Sequence, residues 1–275
     1  MASLSSPHHV LLLGGSGKVA QLLTPMLLKR SWTVTSIIRN PEQVSNLERL
    51  SPAGKGKLNV RVWSIEDEAR SEEGAKALLD EVKPDYVVFS AGAGGKGGEG
   101  RTFKIDRDAA INFLRASASQ NSPVKRFILI SFLTSRLRKA PWWTDDQWRE
   151  AREGVLTQLK TYYEAKVAAD QALYEIAKAK GERDGGDGFA AVSLRPGELT
   201  LDNVRGVELG KTRNTSGKTS REAVAYVTAK LLDSEGLRSG WIDLLDGGED
   251  PDDAVRRVVD EGVDCAEGEP FYEAK

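Results

Sequence analysis

Residues 8–30 read HHVLLLGGSGKVAQLLTPMLLKR, and this stretch decides the fold. Val10 to Leu13 form an apolar run long enough for one buried strand. Val19, Leu22, Leu23, Met26 and Leu27 then recur at the three-four spacing of a helix that packs one face inward. Between them stand Gly14, Gly15 and Gly17. Glycines there serve either a plain chain reversal or a cradle, in which the backbone approaches a phosphate and the helix N-terminus offers N–H groups and a positive dipole end. Downstream context separates the two, because a cradle belongs at the first turn of a strand–helix–strand series.

That series is present. Strand-like segments rich in β-branched and apolar residues fall at 32–39, 58–65, 85–92, 125–131, 189–197 and 240–247. Helical segments fall between them: 41–50 opening on Pro41, Glu68 to Val82, 103–120, Thr219 to Asp233, and a last amphipathic stretch. Strands alternating with helices imply right-handed crossovers and a parallel sheet covered on both faces. The glycine-rich stretches 92–100 and 181–188 read as exposed loops. Residues 136–158 carry three of the six tryptophans and break the rhythm, so they read as an insertion after the fifth strand. Trp142 and Trp143 there either wall a substrate pocket or pack the insertion onto the body.

Composition narrows the chemistry. A chain of 275 residues with 40% hydrophobic and 29% charged residues is long and apolar enough for a large core. A formal net charge of −2 gives no reason to expect a nucleic-acid or membrane-surface partner. With one cysteine, Cys265, and two histidines, His8 and His9, neither an intrachain disulfide, a histidine-based metal site nor a Ser-His-Asp triad is expected. The N-terminal residues carry no secretory pattern and no apolar run is long enough to span a bilayer, so a cytoplasmic protein acting on a small-molecule substrate is expected.

Within the series, Gly14 and Gly17 take the cradle positions, and Ala20 is the third small residue that permits close helix–strand packing. NAD-specific folds place an acid near the end of the second strand, about 20 residues on, to bind the adenosine ribose. Here Arg39 stands there and no acid follows until Glu42. A guanidinium can hold the 2′-phosphate of NADP through two parallel N–H contacts, so NADP is the expected cofactor. Tyr162 and Lys166 stand four apart on a helix and share a face. A free phenol titrates near 10, and a neighbouring ammonium lowers that value by stabilising the phenolate.

On GGSGKVA, IIRNPE, FSAGAGG, KIDRDAAINFLRAS, KRFILIS, YYEAK with AAD after it, LRPGEL and TSREAVAYV, the chain resembles the atypical short-chain dehydrogenase/reductase superfamily, in its NmrA-like NAD(P)-binding branch. The resemblance implies a single Rossmann-type α/β domain, a doubly wound parallel sheet of order 3-2-1-4-5-6-7, with substrate-side elements from about residue 198. It implies that Gly14, Ser16, Gly17, Lys18 and Val19 form the pyrophosphate loop, and Arg39 with Asn40 the 2′-phosphate position. Ser64 and Ile65 stand where the family has Asp and an apolar residue beside adenine. Ala91, Gly92 and Ala93 match the turn at the ribose, and Pro196, Gly197 and Leu199 the loop flanking nicotinamide. Asp106 matches a family acid near the cofactor, or starts a helix. Tyr162 and Lys166 match the proton-transfer pair, with Lys166 also on the ribose. Ser131 is the candidate third member; the position two further on, often a hydroxyl in relatives, is Leu133, with Thr134 and Ser135 as nearby substitutes. The expected activity is an NADP-dependent oxidoreductase. The alternatives are an NADP sensor without turnover, as in NmrA-type regulators, and an epimerase or dehydratase.

Overall fold

The computed structural model describes residues 7–51, 55–94, 98–184 and 188–272. Parts of both glycine-rich loops, 95–97 and 185–187, lie outside the described residues. In chain order the first half runs β1 (His9–Leu13), α1 (Lys18–Leu28), β2 (Thr33–Ile38), α2 (Val44–Glu48), β3 (Lys57–Val62), α3 (Ile65–Glu68), α4 (Glu72–Val82), β4 (Tyr86–Phe89), α5 (Glu99–Thr102), α6 (Ala110–Ser117) and β5 (Arg126–Ile130). The second half runs α7 (Asp145–Gln158), α8 (Lys160–Asp184), β6 (Ala190–Pro196), β7 (Glu198–Thr200), β8 (Val207–Leu209), β9 (Lys218–Ser220), α9 (Arg221–Asp233), β10 (Gly240–Asp246) and α10 (Pro251–Glu261).

The main sheet has the order β3-β2-β1-β4-β5-β6-β10-β8. Its first seven strands are parallel, in the order expected, and make a Rossmann-like α/β fold. The sequence did not announce β8, a three-residue antiparallel edge strand on β10, nor the small β7–β9 pair. Both are too short to show a period-two pattern. The helix expected from about Glu68 starts instead at Glu72, after the separate turn α3, because Ser71 caps its start by accepting from the Gly74 N–H.

The sheet is buried on both faces, and β1 shows how. Val10 and Leu12 point into a core shared with α1, α9 and α10, whereas Leu11 and Leu13 point into one shared with α4, α6 and α8. Successive side chains of a strand face opposite ways, so a strand between two helical layers must be apolar throughout. Order reverses about β1, whose neighbours are β2 and β4. That reversal opens a crevice at the C-terminal ends of the strands, the place where such sheets bind ligands.

Trp142 and Trp143 resolve toward packing. Trp143 is buried with Leu133, Ala140 and Leu245, and its indole N–H donates to the Thr212 carbonyl at 2.7 Å. Trp142 is partly buried against the same cluster. Neither is among the residues lining the two cavities of the crevice, and both rings bed the insertion on the body, the second of the two readings. Among the described residues, no helix is long and apolar enough to cross a membrane.

Candidate nucleotide-binding site

The loop after β1 is held to one shape by contacts that leave no room for side chains. Gly14 adopts φ +84°, and a Cβ there would fall 2.7 Å from the Ala91 backbone. A Cβ on Gly15 would collide with Ser36 Oγ at 1.8 Å. The Gly15 N–H donates to the Ile37 carbonyl at 2.8 Å and the Gly17 N–H closes the turn on the Gly14 carbonyl at 2.9 Å. Gly17 caps α1 without any side-chain hydrogen bond, and the first turn holds no acid. The leading N–H groups of α1 are therefore left for an anion, so these residues fit a dinucleotide pyrophosphate.

Two cavities meet at this loop, sharing Gly17, Ser90, Ala91 and Gly92. The first, ≈ 330 Å³, runs over the ends of β2 and β3 and is lined by Gly14, Ser16, Arg39, Asn40, Trp63, Ile65, Glu66 and Arg101. Arg39 is largely exposed and lies 3.7 Å from Glu66. The Asn40 side chain accepts the Glu42 N–H at 3.0 Å and so caps a short 3-10 turn. Ser64 does the same for α3 and donates to Asp67 at 2.7 Å. It does not line the cavity.

The second cavity, ≈ 500 Å³, lies over β4 and β5 and is lined by Lys18, Val19, Ala93, Asp106, Ile130, Ser131, Leu159, Tyr162, Lys166, Leu199 and Arg221. Pro196 and Gly197 stay behind this wall. Pro196 is buried in β6, and Gly197 lets β6 pass the Gly217 carbonyl, which a Cβ would meet at 2.3 Å. Arg221 donates to the Leu199 and Thr200 carbonyls at 2.9 and 2.8 Å, tying β7 to the start of α9.

Tyr162 and Lys166 come from the first turns of α8. The Lys166 ammonium is buried, donates to the Ile130 carbonyl at 2.9 Å, and lies 3.5 Å from Asp106 and 5.6 Å from the Tyr162 ring centre. Burial opposes its charge, but Tyr162, Asp106 and Asp170 together raise its pKa above the ordinary ammonium value. Asp106 does not start a helix. It sits in a π-helical turn, residues 103–109, between α5 and α6. That wide turn aims its buried carboxylate at the Ala93 N–H, 2.9 Å away. The Tyr162 phenol departs from expectation in direction. Desolvation holds its pKa above the usual value, and the Lys166 charge only partly offsets this.

Ser131 is buried, and its hydroxyl donates to Asp170 at 2.7 Å. Ser135 and Ser193 donate to the same carboxyl at 2.6 and 2.7 Å. A serine has one proton, so Ser131 meets the cavity with lone pairs only. Asp170 continues the face of Tyr162 and Lys166 by one more turn; its signals in the sequence were that four-residue rhythm and its place in the AAD stretch. Thr134 is buried and away from the cavity lining. Beneath lies a second buried layer: Arg195 donates to Asp243 at 2.8 Å and to the Ser135 and Leu133 carbonyls at 2.9 and 2.6 Å. Arg136 pairs with Glu269 at 3.3 Å and donates to the Glu267 carbonyl at 2.7 Å.

The crevice, the glycine cradle and the Tyr–Lys pair define the class, a dinucleotide-binding α/β protein. A family model described as NAD(P)H-binding matches residues 14–235, and the chain belongs to that family. UPF0659 protein C216.03 of Schizosaccharomyces pombe is 30% identical over 239 residues, 85% of this chain and 88% of that protein. The uncharacterized sugar epimerase YhfK of Bacillus subtilis is 26% identical over 250 residues, 90% of this chain and 99% of its own. Among solved structures, a putative NAD-dependent epimerase/dehydratase from Bacillus halodurans superposes with a TM-score of 0.70 at 23% identity, covering 91% of this chain and 99% of that one.

Proposed function

We propose that the protein is an NADP-dependent reductase in which Tyr162 gives a proton to the oxygen of a small carbonyl compound, or to an activated alkene. The observation that carries this reading is Tyr162 beside the buried Lys166 ammonium, in a cavity that adjoins the glycine cradle. The bound dinucleotide supplies the hydride. The residues of the chain do the rest. Lys18, Val19 and the α1 N-terminus would hold the pyrophosphate, Ala91, Gly92 and Ala93 would meet the ribose, and Ile65 would meet the adenine. Lys166 holds the nicotinamide ribose with the N–H not committed to Ile130 or Asp106, and stabilises the phenolate left when Tyr162 gives up its proton. Leu199, Ile130 and Leu159 keep water from the reacting face.

Ser131 has its proton committed to Asp170, so in this scheme it accepts a hydrogen bond and Tyr162 is the sole proton donor. The same feature favours the second reading, a nucleotide-binding regulator without turnover. An epimerase or dehydratase that retains its nucleotide is the third, supported by the names of the relatives. NADPH oxidation against a broad carbonyl and enone panel separates them, measured beside NADP and NAD binding. Turnover of at least one compound is expected. No turnover with tight NADP binding transfers the assignment to the regulator, and a nucleotide that is bound but not consumed during conversion of a sugar nucleotide transfers it to the epimerase.

The cofactor assignment rests on Arg39. Arg39→Ala should weaken NADP binding by roughly ten- to over a hundredfold, the worth of a charge-assisted contact of ~1.5–3 kcal/mol, and leave NAD binding nearly unchanged. Titration of both proteins with both nucleotides checks this. Equal NADP affinity in wild type and variant would remove Arg39 from the site.

A further inference from the structure

At the adenosine end two guanidiniums meet one carboxylate. Glu66, in the first turn of α3, accepts from Arg101 Nε at 2.7 Å and lies 3.7 Å from Arg39. Glu66 and Arg101 are mostly buried, at 23% and 16% exposure, while Arg39 is 63% exposed. Arg101 is further tied to the Ala93 carbonyl at 3.1 Å. The Glu66–Arg101 half is therefore fixed and the Arg39 side chain is the one with room to move. All three line the same cavity.

We propose that Glu66 tempers the dinucleotide preference that Arg39 confers, drawing it away from NADP and toward NAD. The inference rests on the reading of Arg39 as partner of the 2′-phosphate. A phosphate monoester carries nearly two negative charges at neutral pH. A phosphate held by Arg39 where that side chain stands shares it with the Glu66 carboxylate 3.7 Å away, which sets two anions side by side in a partly desolvated cavity and opposes binding. NAD presents a 2′-hydroxyl instead, which donates to a carboxylate. An acid does this work at the end of the second strand in NAD-specific folds; here the acid comes from the element after the third. One side chain thus penalises one nucleotide and favours the other, while Arg39 favours the phosphorylated one.

The experiment is equilibrium titration of wild type and Glu66→Gln with NADP⁺ and with NAD⁺, with thermal unfolding as a check on the fold. Glutamine keeps the length of the side chain and an oxygen to accept from Arg101. NADP⁺ affinity should rise by roughly tenfold and NAD⁺ affinity should fall severalfold, because a repulsion and an ionic hydrogen bond are removed together. Glu66→Asp keeps the charge at shorter reach and should move the ratio the same way by less. The gain for NADP⁺ should shrink as salt is raised, since the charges are partly exposed. A ratio unchanged within about twofold in Glu66→Gln, or both affinities moving by one common factor, overturns the inference while leaving Arg39 in place. Binding of neither nucleotide by wild type, or no effect of Arg39→Ala, overturns the reading it rests on and the inference with it.

Discussion

Tyr162→Phe should lower reductive turnover by ~10²–10⁴, the usual worth of a positioned proton donor. The ring stays, so packing against Phe132, 5.1 Å away, and the affinity for NADP should both survive. Lys166→Met should damage turnover and nucleotide affinity together, because that ammonium serves two groups. The direction of the phenol shift adds a pH signature. Burial raises the Tyr162 pKa, so the proton is held throughout the neutral range. Reductive turnover should then be level from mildly acid to mildly alkaline pH and decline only above the ordinary phenol value of about 10. The oxidative direction starts from the phenolate and should rise with pH instead. A substrate turned over equally by wild type and Tyr162→Phe would refute the mechanism.

The second large effect is on stability. Asp243→Ala should destabilise the protein by about 3–5 kcal/mol, because it strands the Arg195 guanidinium, which is wholly buried, without its counter-charge. For a chain of this size that is a fall of roughly 6–20 °C in Tm, measurable by calorimetry or circular dichroism. Desolvation raises the Asp243 pKa and Arg195 opposes it, so the pair is held by mutual need rather than by comfort in the core. Replacing both partners, Arg195→Met with Asp243→Leu, should recover much of the loss. The double variant should still lose some stability, because Arg195 also serves the Leu133 and Ser135 carbonyls. A single variant that melts with wild type would show that the charge is satisfied elsewhere.

The parallel sheet was legible because its central strands, β1, β4 and β5, carry short apolar runs set between helical repeats. The sidedness of those helices, the alternation within β1 and the glycine pattern agree with one another, and consistency across levels is what makes a fold readable. The small strands β7, β8 and β9 were not readable, since three residues carry no period. The Tyr162 and Lys166 spacing was visible for a local reason: one helix carries both. Glu66, Arg101 and Asp170 were less visible. Glu66 and Arg101 come from different crossovers and meet only in space. Asp170 is given its meaning by Ser131, Ser135 and Ser193, up to 39 residues away. The upward shift of the Tyr162 phenol was hidden for a related reason, since spacing reveals a neighbouring charge but not the loss of water.

The Arg136 clasp has a consequence in time. Arg136 lies directly after the loop that carries Ser131 and Ser135, yet its guanidinium binds the Cys265 and Glu267 carbonyls, 129 and 131 residues later in the chain. Contacts of such span form late, because a long stretch of chain must be ordered before they can close. The β1–β2 pair beside the glycine cradle, by contrast, joins segments about 24 residues apart. The clasp beneath Ser131 can close only once residues 265–267 have emerged from the ribosome. Both halves of the crevice therefore depend on distant chain: the cradle helix α1 packs on α9, and the chemical half is clasped by residues 265–267.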